Sequence, residues 1–225
     1  MRARIHPIRL PLPFHLGSVN SYLISTNAGY VLVDTGGSNG RKELLRTLEN
    51  AGCKPGLLKL MVITHGDFDH TGNAAYLRRL YNCQIAMHSD DAGMAERGDM
   101  FVNRKKPNPV IRALLPVLTG FGRSERFKPD LLLEDGDDLS AYGFEARVLS
   151  IPGHSKGSIG ILTATGELFC GDLLENRRRP TLHSLMDDPT AAKASLQKLR
   201  NLRIGMVYPG HGEPFPMDVL EGSVS

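Results

Sequence analysis

The segment LMVITHGDFDH, residues 60–70, is the most informative part of this sequence. An apolar run typical of a buried strand leads into two histidines and two aspartates that fall within six residues. In an extended loop alternate side chains share one side, so His65, Asp67 and Asp69 lie together and His70 turns toward a second point. Imidazoles and carboxylates this close together are the ligands of a divalent metal site. A polar turn with solvated acidic groups is the alternative interpretation.

Three later segments each place one more ligand-type side chain in a glycine-containing turn. His154 and His211 both follow a Pro-Gly pair, and Asp172 follows Gly171 at the predicted end of a strand. A single histidine or aspartate in a turn is common and needs no metal. Several of them at the exits of strands are typical of a site in a layered α/β fold. The metal interpretation is therefore favoured over the polar turn.

The chain repeats one pattern of predicted secondary structure. Each half has a hairpin, a helix and a strand whose exit carries a histidine. The predicted elements are a hairpin over 22–33, a helix over 44–51, a strand over 60–63, a helix over 74–80 and a strand over 85–87, then a strand over 146–149, a hairpin over 160–170, a helix over 190–202 and a strand over 203–207. Two sheets packed face to face, with helices outside, would bury both apolar sets. We therefore predict a single α/β domain over residues 1–225.

Residues 98–130 interrupt this pattern and contain four prolines and several basic residues. An apolar stripe at helical spacing runs from Val110 to Leu118, with Pro109 at its first turn and Pro116 at a kink. A core-packed connection and a lid or pocket wall are the two interpretations, since long insertions often carry binding residues. We predict an insertion or lid segment within the domain.

The composition is that of an ordinary globular protein and excludes several classes. The 225 residues are 41% hydrophobic and carry a formal net charge of +3, which is too small to indicate nucleic acid. Three cysteines without paired spacing argue against a disulfide scaffold and a cysteine-based zinc site. No apolar run reaches the ~18 residues of a membrane span, and prolines interrupt any signal sequence. We expect a cytoplasmic protein with a small-molecule substrate and no membrane or nucleic-acid partner; a dimer is compatible with the sequence.

The motifs resemble those of the metallo-β-lactamase-fold hydrolase superfamily. The resemblance runs from Asn20 to about Phe215 and includes VDTG at 33–36, the cluster at 65–70, PGHS at 152–155, GD at 171–172 and PGHG at 209–212. It implies a four-layer αββα sandwich with a dinuclear metal site at one edge of the sheets. It also implies metal-assisted hydrolysis, in which a hydroxide held between the metals attacks a carbonyl or phosphoryl centre.

The resemblance assigns the ligands by position. It implies that one metal is held by His65, Asp67 and His154, that the other is held by Asp69, His70 and His211, that Asp172 bridges the two, and that Asp34 orients a ligand through a hydrogen bond. Asp69 is also the candidate catalytic residue that takes a proton. The expected cofactors are two divalent ions, zinc first, with manganese or iron as alternatives.

One position departs from the superfamily's usual pattern, His-x-His-x-Asp-His. The middle histidine is replaced by Asp67. Each metal would then have two imidazoles, one carboxylate of its own and the shared Asp172. An additional carboxylate makes the site less positive, so we expect a weaker Lewis acid whose bound water is less acidic. Harder oxygen ligands also favour manganese or iron beside zinc.

The substrate follows less directly, because this fold processes several ester classes. We predict a small thioester, lactone or related ester. Candidate substrate-binding residues are Arg177, at the start of an arginine triplet that suits anions, His183 and Tyr208. A solvated arginine loop and a packed tyrosine are the alternatives.

Four other functions compete with this prediction. Ser155 in GHSKG, residues 153–157, matches the nucleophile elbow of a serine hydrolase, but a hairpin rather than a helix follows it. Two histidines with one carboxylate also suit an iron-dependent oxidoreductase or oxygenase. A phosphodiesterase or nuclease, and a binding module with a degenerate site, complete the alternatives.

Overall fold

The computed structural model describes residues 4–104, residue 108 and residues 123–221, which form two mixed sheets. The first sheet has its strands in sequence order, and they are β1 (Arg4–Pro11), β2 (Ser18–Thr26), β3 (Gly29–Val33), β4 (Leu58–Val62), β5 (Gln84–His88) and β6 (Leu131–Leu133). The first three strands pair antiparallel, and β3 to β6 pair parallel. The parallel strands therefore deliver their following loops to the same edge.

The second sheet has the order β12-β11-β9-β8-β7, with β10 paired to β9. Its strands are β7 (Ala146–Ser150), β8 (Ile159–Thr163), β9 (Glu167–Asn176), β10 (Thr181–Leu182), β11 (Met206–Gly212) and β12 (Phe215–Pro216). A hairpin joins β8 to β9, and β11 then pairs parallel to β9. The first sheet has the same arrangement in β2, β3 and β4, which matches the predicted internal repeat.

Helices connect the strands and lie outside the sheets. They are α1 (Arg41–Asn50), α2 (Phe68–Thr71), α3 (Ala74–Tyr81), α4 (Ser89–Arg97), α5 (Pro189–Arg200) and α6 (Met217–Glu221), with single turns of 3₁₀ helix at Pro13–His15, Ser38–Gly40, Arg123–Glu125 and Ser140–Tyr142. The start of α5 is specified locally, because the side chain of Asp188 accepts from the backbone N–H groups of Thr190 and Ala191 at 2.9 and 3.0 Å. Pro189 occupies the first helical turn, where its missing N–H costs nothing.

Three apolar clusters define four layers. The central cluster lies between the sheets and includes Val31, Val33 and Phe169. Leu32, between the two valines, faces the opposite side and packs with α1 and α3. A third cluster joins the second sheet to α5 and α6. This alternation along β3 is the period of two expected for a strand buried on both faces, and the predicted αββα sandwich is confirmed.

The second sheet differs from the sequence prediction at the site. Strand β9 does not end at Cys170 but continues to Asn176, so Asp172 lies within it. The parallel register with β11 shifts on both sides of Pro209, and Gly171 adopts a φ of +49°. Such an irregularity re-aims the side chains that follow it. Asp172 and His211 are therefore placed by a bulged strand pair rather than by strand ends.

Part of the predicted insertion lies outside the described residues, including the apolar stripe from Val110 to Leu118. Its described ends, 98–104 and 123–130, flank α4 and β6. Whether the segment acts as a lid stays a prediction. Among the described residues, no helix has the length and apolar character needed to cross a bilayer.

Candidate metal centre

The seven ligand residues predicted from the sequence converge on one buried centre. On its first side, Oδ2 of Asp67 lies 3.0 Å from Nε2 of His154 and 3.6 Å from Nε2 of His65. Oδ2 of Asp172 lies 3.9 and 4.0 Å from the same two nitrogens. Four ligand-type atoms from two loops and one strand thus surround one point.

The second side is built from the next residues of the same loop. Oδ2 of Asp69 lies 3.5 Å from Nε2 of His211 and 4.0 Å from Nε2 of His70. Asp172 also faces this side, with Oδ1 3.4 Å from Nε2 of His70 and Oδ2 3.3 Å from Nε2 of His211. The Asp172 carboxylate is therefore positioned between the two halves of the centre.

The donor set fits a pair of divalent cations. The triads His65–His154–Asp172 and Asp69–His70–His211 each place their ligand atoms within 4.8 Å of one another. Nε2 of His65, Nε2 of His70 and Oδ1 of Asp172 are buried and have no hydrogen-bond partner among the described residues. Buried polar atoms are ordinarily paired, so several aimed at one point require a cation or water. Metal bonds of about 2.0–2.2 Å in tetrahedral geometry separate ligand atoms by roughly 3.3 Å, close to the observed spacing.

Asp34 supports the loop that carries the cluster. Oδ1 accepts from the backbone N–H of Thr64 at 2.8 Å, and Oδ2 accepts from the Thr64 hydroxyl and from Nδ1–H of His70, both at 2.8 Å. Because the Thr64 hydroxyl donates to Asp34, it accepts from Nδ1 of His65 at 3.0 Å. When the two imidazoles are neutral, these bonds leave Nε2 of each free of hydrogen.

Backbone carbonyls hold the other two histidines in the same way. Nδ1 of His154 lies 2.7 Å from the carbonyl of Leu185, and Nδ1 of His211 lies 2.8 Å from the carbonyl of Ser18. A carbonyl only accepts, so each Nδ1 carries a proton, and Nε2 is the nitrogen whose lone pair faces the centre when the imidazole is neutral.

The close carboxylates shift the histidine pKa values in the metal-free site. Burial lowers the pKa of His154, but the hydrogen bond and charge of Asp67 outweigh it and raise the pKa to about 9. Burial is likewise outweighed at His211, where Asp172 raises the pKa to about 10. At Asp67 burial raises the pKa, and the larger combined effect of His154, His65 and Arg104 lowers it well below its usual range.

Arg104 is a component of the centre that sequence reasoning missed. It lies at the start of residues 98–130 and donates from Nη1 to Oδ1 of Asp67, from Nη2 to the carbonyl of His154 at 3.2 Å, and from Nε to Asp187. The side chains of Arg104 and Asp67 are 7% and 9% exposed. We expected a less positive site because the negative charge of Asp67 had no partner in the sequence. In the structure, the positive charge of Arg104 lies beside it. The segment 98–130 contains several arginines, and no sequence pattern distinguishes Arg104 from the others.

Asp91 was not predicted from the sequence either, because an acidic residue in the first turn of a helix such as α4 is common. It is fully buried and accepts from the backbone N–H groups of Gly66 and Gly157, both at 2.9 Å, and from the Ser155 hydroxyl at 2.6 Å. The carboxylate therefore ties the loop of His65 to the loop of His154. Since Ser155 donates to Asp91 and is followed by β8 rather than a helix, the nucleophile-elbow interpretation is wrong.

The family of the chain follows from the comparison with known proteins. The family model for the metallo-beta-lactamase superfamily matches residues 16–211, which contain all seven candidate ligands. The chain belongs to this superfamily. The matched range contains strands of both sheets and the departure at Asp67.

Relatives of this superfamily member are distant. The acyl-coenzyme A thioesterase MBLAC2 of Bos taurus is 31% identical over 169 residues, covering 69% of this chain and 58% of that protein. A probable metallo-hydrolase, MJ0888 of Methanocaldococcus jannaschii, is 28% identical over a match that covers 87% of this chain and 88% of that protein. The structure of TTHA1623 in a di-iron-bound form superposes with a TM-score of 0.71 at 28% identity. The superposition covers 93% of this chain and 95% of that chain. The chain thus spans less than two thirds of the length of the Bos taurus thioesterase.

The three candidate substrate residues differ in their placement. Nε2 of His183 is buried 3.7 Å from Oδ2 of Asp172, and its ring lies 5.2 Å from that of His154. Arg177 is exposed and pairs with Glu175 at 3.2 Å. Tyr208 stacks on Phe169 in the core between the sheets, with ring centroids 5.1 Å apart, which gives it a packing role. His183 is the candidate that the structure brings to the centre.

Proposed function

We propose that this superfamily member is a dinuclear metal-dependent hydrolase. The observation that carries the proposal is the convergence of seven ligand-type side chains on one buried centre with Asp172 between its halves. In the proposed assignment His65, Asp67 and His154 hold the first ion, Asp69, His70 and His211 hold the second, and Asp172 contacts both. Zinc is the first candidate. Manganese and iron suit the carboxylate-rich set, and the di-iron form of a relative supports iron.

Bound divalent ions would polarise a substrate carbonyl and lower the pKa of a water molecule at the centre. The protein's own residues would accept the proton and orient the ligands. Asp69 is the carboxylate on the second side that we assign to accept a proton, because the contacts of its Oδ2 to Nε2 of His70 and His211 are long, at 4.0 and 3.5 Å. Asp34 and the carbonyls of Ser18 and Leu185 keep the histidine rings aimed during turnover.

His183 is the residue that we assign to the substrate, on the basis of its position. Its Nε2 is buried, lies 3.7 Å from Oδ2 of Asp172 and has no hydrogen-bond partner among the described residues. Nδ1 lies 3.1 Å from the backbone nitrogen of Leu185 and 3.3 Å from the carbonyl oxygen of the same residue, so Leu185 holds the ring in either tautomer. The ligand atoms of Asp172, His183 and His211 also lie within 4.8 Å of one another, so metal ligation is the alternative role of His183. In the tautomer with its proton on Nε2, His183 would donate to a substrate oxygen.

A thioester is the substrate class that we propose. The names of relatives support it, since thioesterases occur among them. A local feature supports an apolar acyl group. The most exposed large apolar side chains of the described residues are Leu185 at 70%, Leu16 at 69% and Phe14 at 66%. The carbonyl of Leu185 itself contacts Nδ1 of His154, and Phe14 and Leu16 come just before Ser18, whose carbonyl contacts Nδ1 of His211. Exposed apolar groups beside a polar centre are typical of a binding site for an amphipathic substrate.

The test is a substrate panel on metal-stripped protein reloaded separately with zinc, manganese and iron. We expect turnover of acyl thioesters, loss of activity with chelator and recovery on reloading. His183→Asn should lower kcat while two ions remain bound. Turnover of phosphodiesters alone would replace the thioester assignment by the phosphodiesterase alternative. Oxygen consumption without hydrolysis would replace it by the iron oxidoreductase alternative.

A further inference from the structure

The two oxygens of Asp67 have different partners. Oδ2 faces Nε2 of His154 and His65 at 3.0 and 3.6 Å, within the first half of the centre. Oδ1 points outward and accepts from Nη1 of Arg104. Asp67 is thus presented to the centre through one oxygen, in the way that a histidine presents one nitrogen.

The charges of the pair cancel. An ionised Asp67 contributes −1 and the Arg104 guanidinium contributes +1, so together they equal the zero charge of a neutral histidine. Both side chains are more than nine-tenths buried, which limits solvent screening of either charge. Among the described residues, the other hydrogen-bond partners of Arg104 are the backbone carbonyl of His154 and the carboxylate of Asp187. The Asp187 side chain is 40% exposed, so solvent screens its charge more than that of Asp67.

We propose that Arg104 is a built-in counter-charge for Asp67 at the first metal position. It occupies the outer carboxylate oxygen, leaves Oδ2 as a single-oxygen ligand, and weakens the donor strength of that oxygen. The pair then acts toward a bound ion as one neutral ligand. This inference rests on the proposed dinuclear site, and it adds a positioning residue from the segment 98–130 to that site.

The experiment varies the charge of the pair in steps. Full-length protein is stripped of metal, and zinc binding is measured by competition with a chromogenic chelator. Arg104→Gln makes the pair −1, and we expect one of the two binding steps to tighten by about tenfold. Asp67→His with Arg104 retained makes it +1, and the same step should weaken by about tenfold. The double variant Asp67→His/Arg104→Gln returns the pair to zero and should bind within about threefold of the original protein.

Two controls accompany the series. Arg104→Lys keeps the charge and should stay near the original affinity, while Arg79→Gln removes a positive charge from an exposed position of α3 and should leave both steps unchanged. Thermal unfolding in chelator checks that each variant folds. Weaker binding in Arg104→Gln, or equal binding by Asp67→His and the double variant, would overturn the counter-charge. A single ion per chain in every variant would instead overturn the dinuclear assignment. No substrate is used, so the outcome is independent of the thioester proposal.

Discussion

Oδ2 of Asp34 lies 2.8 Å from Nδ1 of His70, and Asp34 reaches that ring from a backbone φ of 57°. The left-handed conformation is tolerated by Asp and Asn and costs most other side chains energy. Asp34 is therefore suited to this position both by its carboxylate and by its backbone. It connects the end of β3 to the loop after β4.

Asp34→Asn separates these two contributions, because asparagine keeps the backbone preference and loses the charge. We expect zinc affinity to fall about 10- to 100-fold, since an amide orients His70 and accepts from Thr64 less well. The free energy of unfolding without metal should change less than in Asp34→Ala, which also loses the φ preference. Chelator competition and urea unfolding measure the two quantities. Unchanged affinity in Asp34→Asn would contradict an orienting role.

Metal binding should depend on pH through the site histidines. With pKa values raised to about 9 and about 10, His154 and His211 are protonated in the metal-free protein at pH 7. A metal needs neutral imidazoles, so binding must displace these protons and zinc affinity should rise as the pH increases from 7 toward 10. Burial is also outweighed at His70, where the carboxylates of Asp172, Asp34 and Asp69 raise the pKa well above its usual range as well. We expect about three protons to be released per chain at pH 7.5, measured by calorimetry in buffers of different ionisation enthalpy. Release of no protons would show that these histidines are not ligands.

Gly210→Ala should block the centre while leaving most of the fold in place. A Cβ at this position would lie 2.1 Å from Oδ1 of Asp172 and 2.8 Å from Cε1 of His70. The methyl group must displace the carboxylate between the two halves, so we expect zinc affinity to fall at least about tenfold. Gly205→Ala is the matched control, because its Cβ would meet only the carbonyl of Gly166 at 3.8 Å. Equal zinc affinity of the two variants would sink this prediction.

Asp91→Ala should destabilise the metal-free protein. The variant leaves the N–H groups of Gly66 and Gly157 and the Ser155 hydroxyl without their buried acceptor, and each such loss costs about 1–3 kcal/mol. We expect the free energy of unfolding in chelator to fall by about 3 kcal/mol or more, measured with urea. Asp90→Ala removes a neighbouring, partly exposed carboxylate that pairs with Lys156, and should cost less than about 1 kcal/mol. Similar losses would contradict the role assigned to Asp91.

Most elements of the fold were predictable from local pattern. The apolar run before His65 is β4, the alternation around Leu32 is a strand buried on both faces, and Asp188-Pro189 begins α5. Each of these signals lies within about ten neighbouring residues. The extent of β9 was not predictable in this way, because its bulge at Gly171 depends on pairing with β11, about 40 residues later.

The sequence by itself determined which side chains are available to the site. The cluster at 65–70, together with His154, Asp172 and His211, supplies imidazole and carboxylate ligands at the exits or bends of strands, where the fold brings them together. Ligand chemistry is a property of residue type and spacing, so it is readable before the structure is known.

Only the tertiary structure decided how those ligands are held and charged. Arg104 meets Asp67 across 37 residues, Asp91 meets Ser155 across 64, and the backbone of Leu185 contacts Nδ1 of both His154 and His183. A hydrogen bond depends on distances of about 3 Å and on direction, and such contacts between distant segments leave no periodic pattern in one sequence. The aspartate in the metal cluster was therefore visible from the sequence, while the arginine that balances it was not.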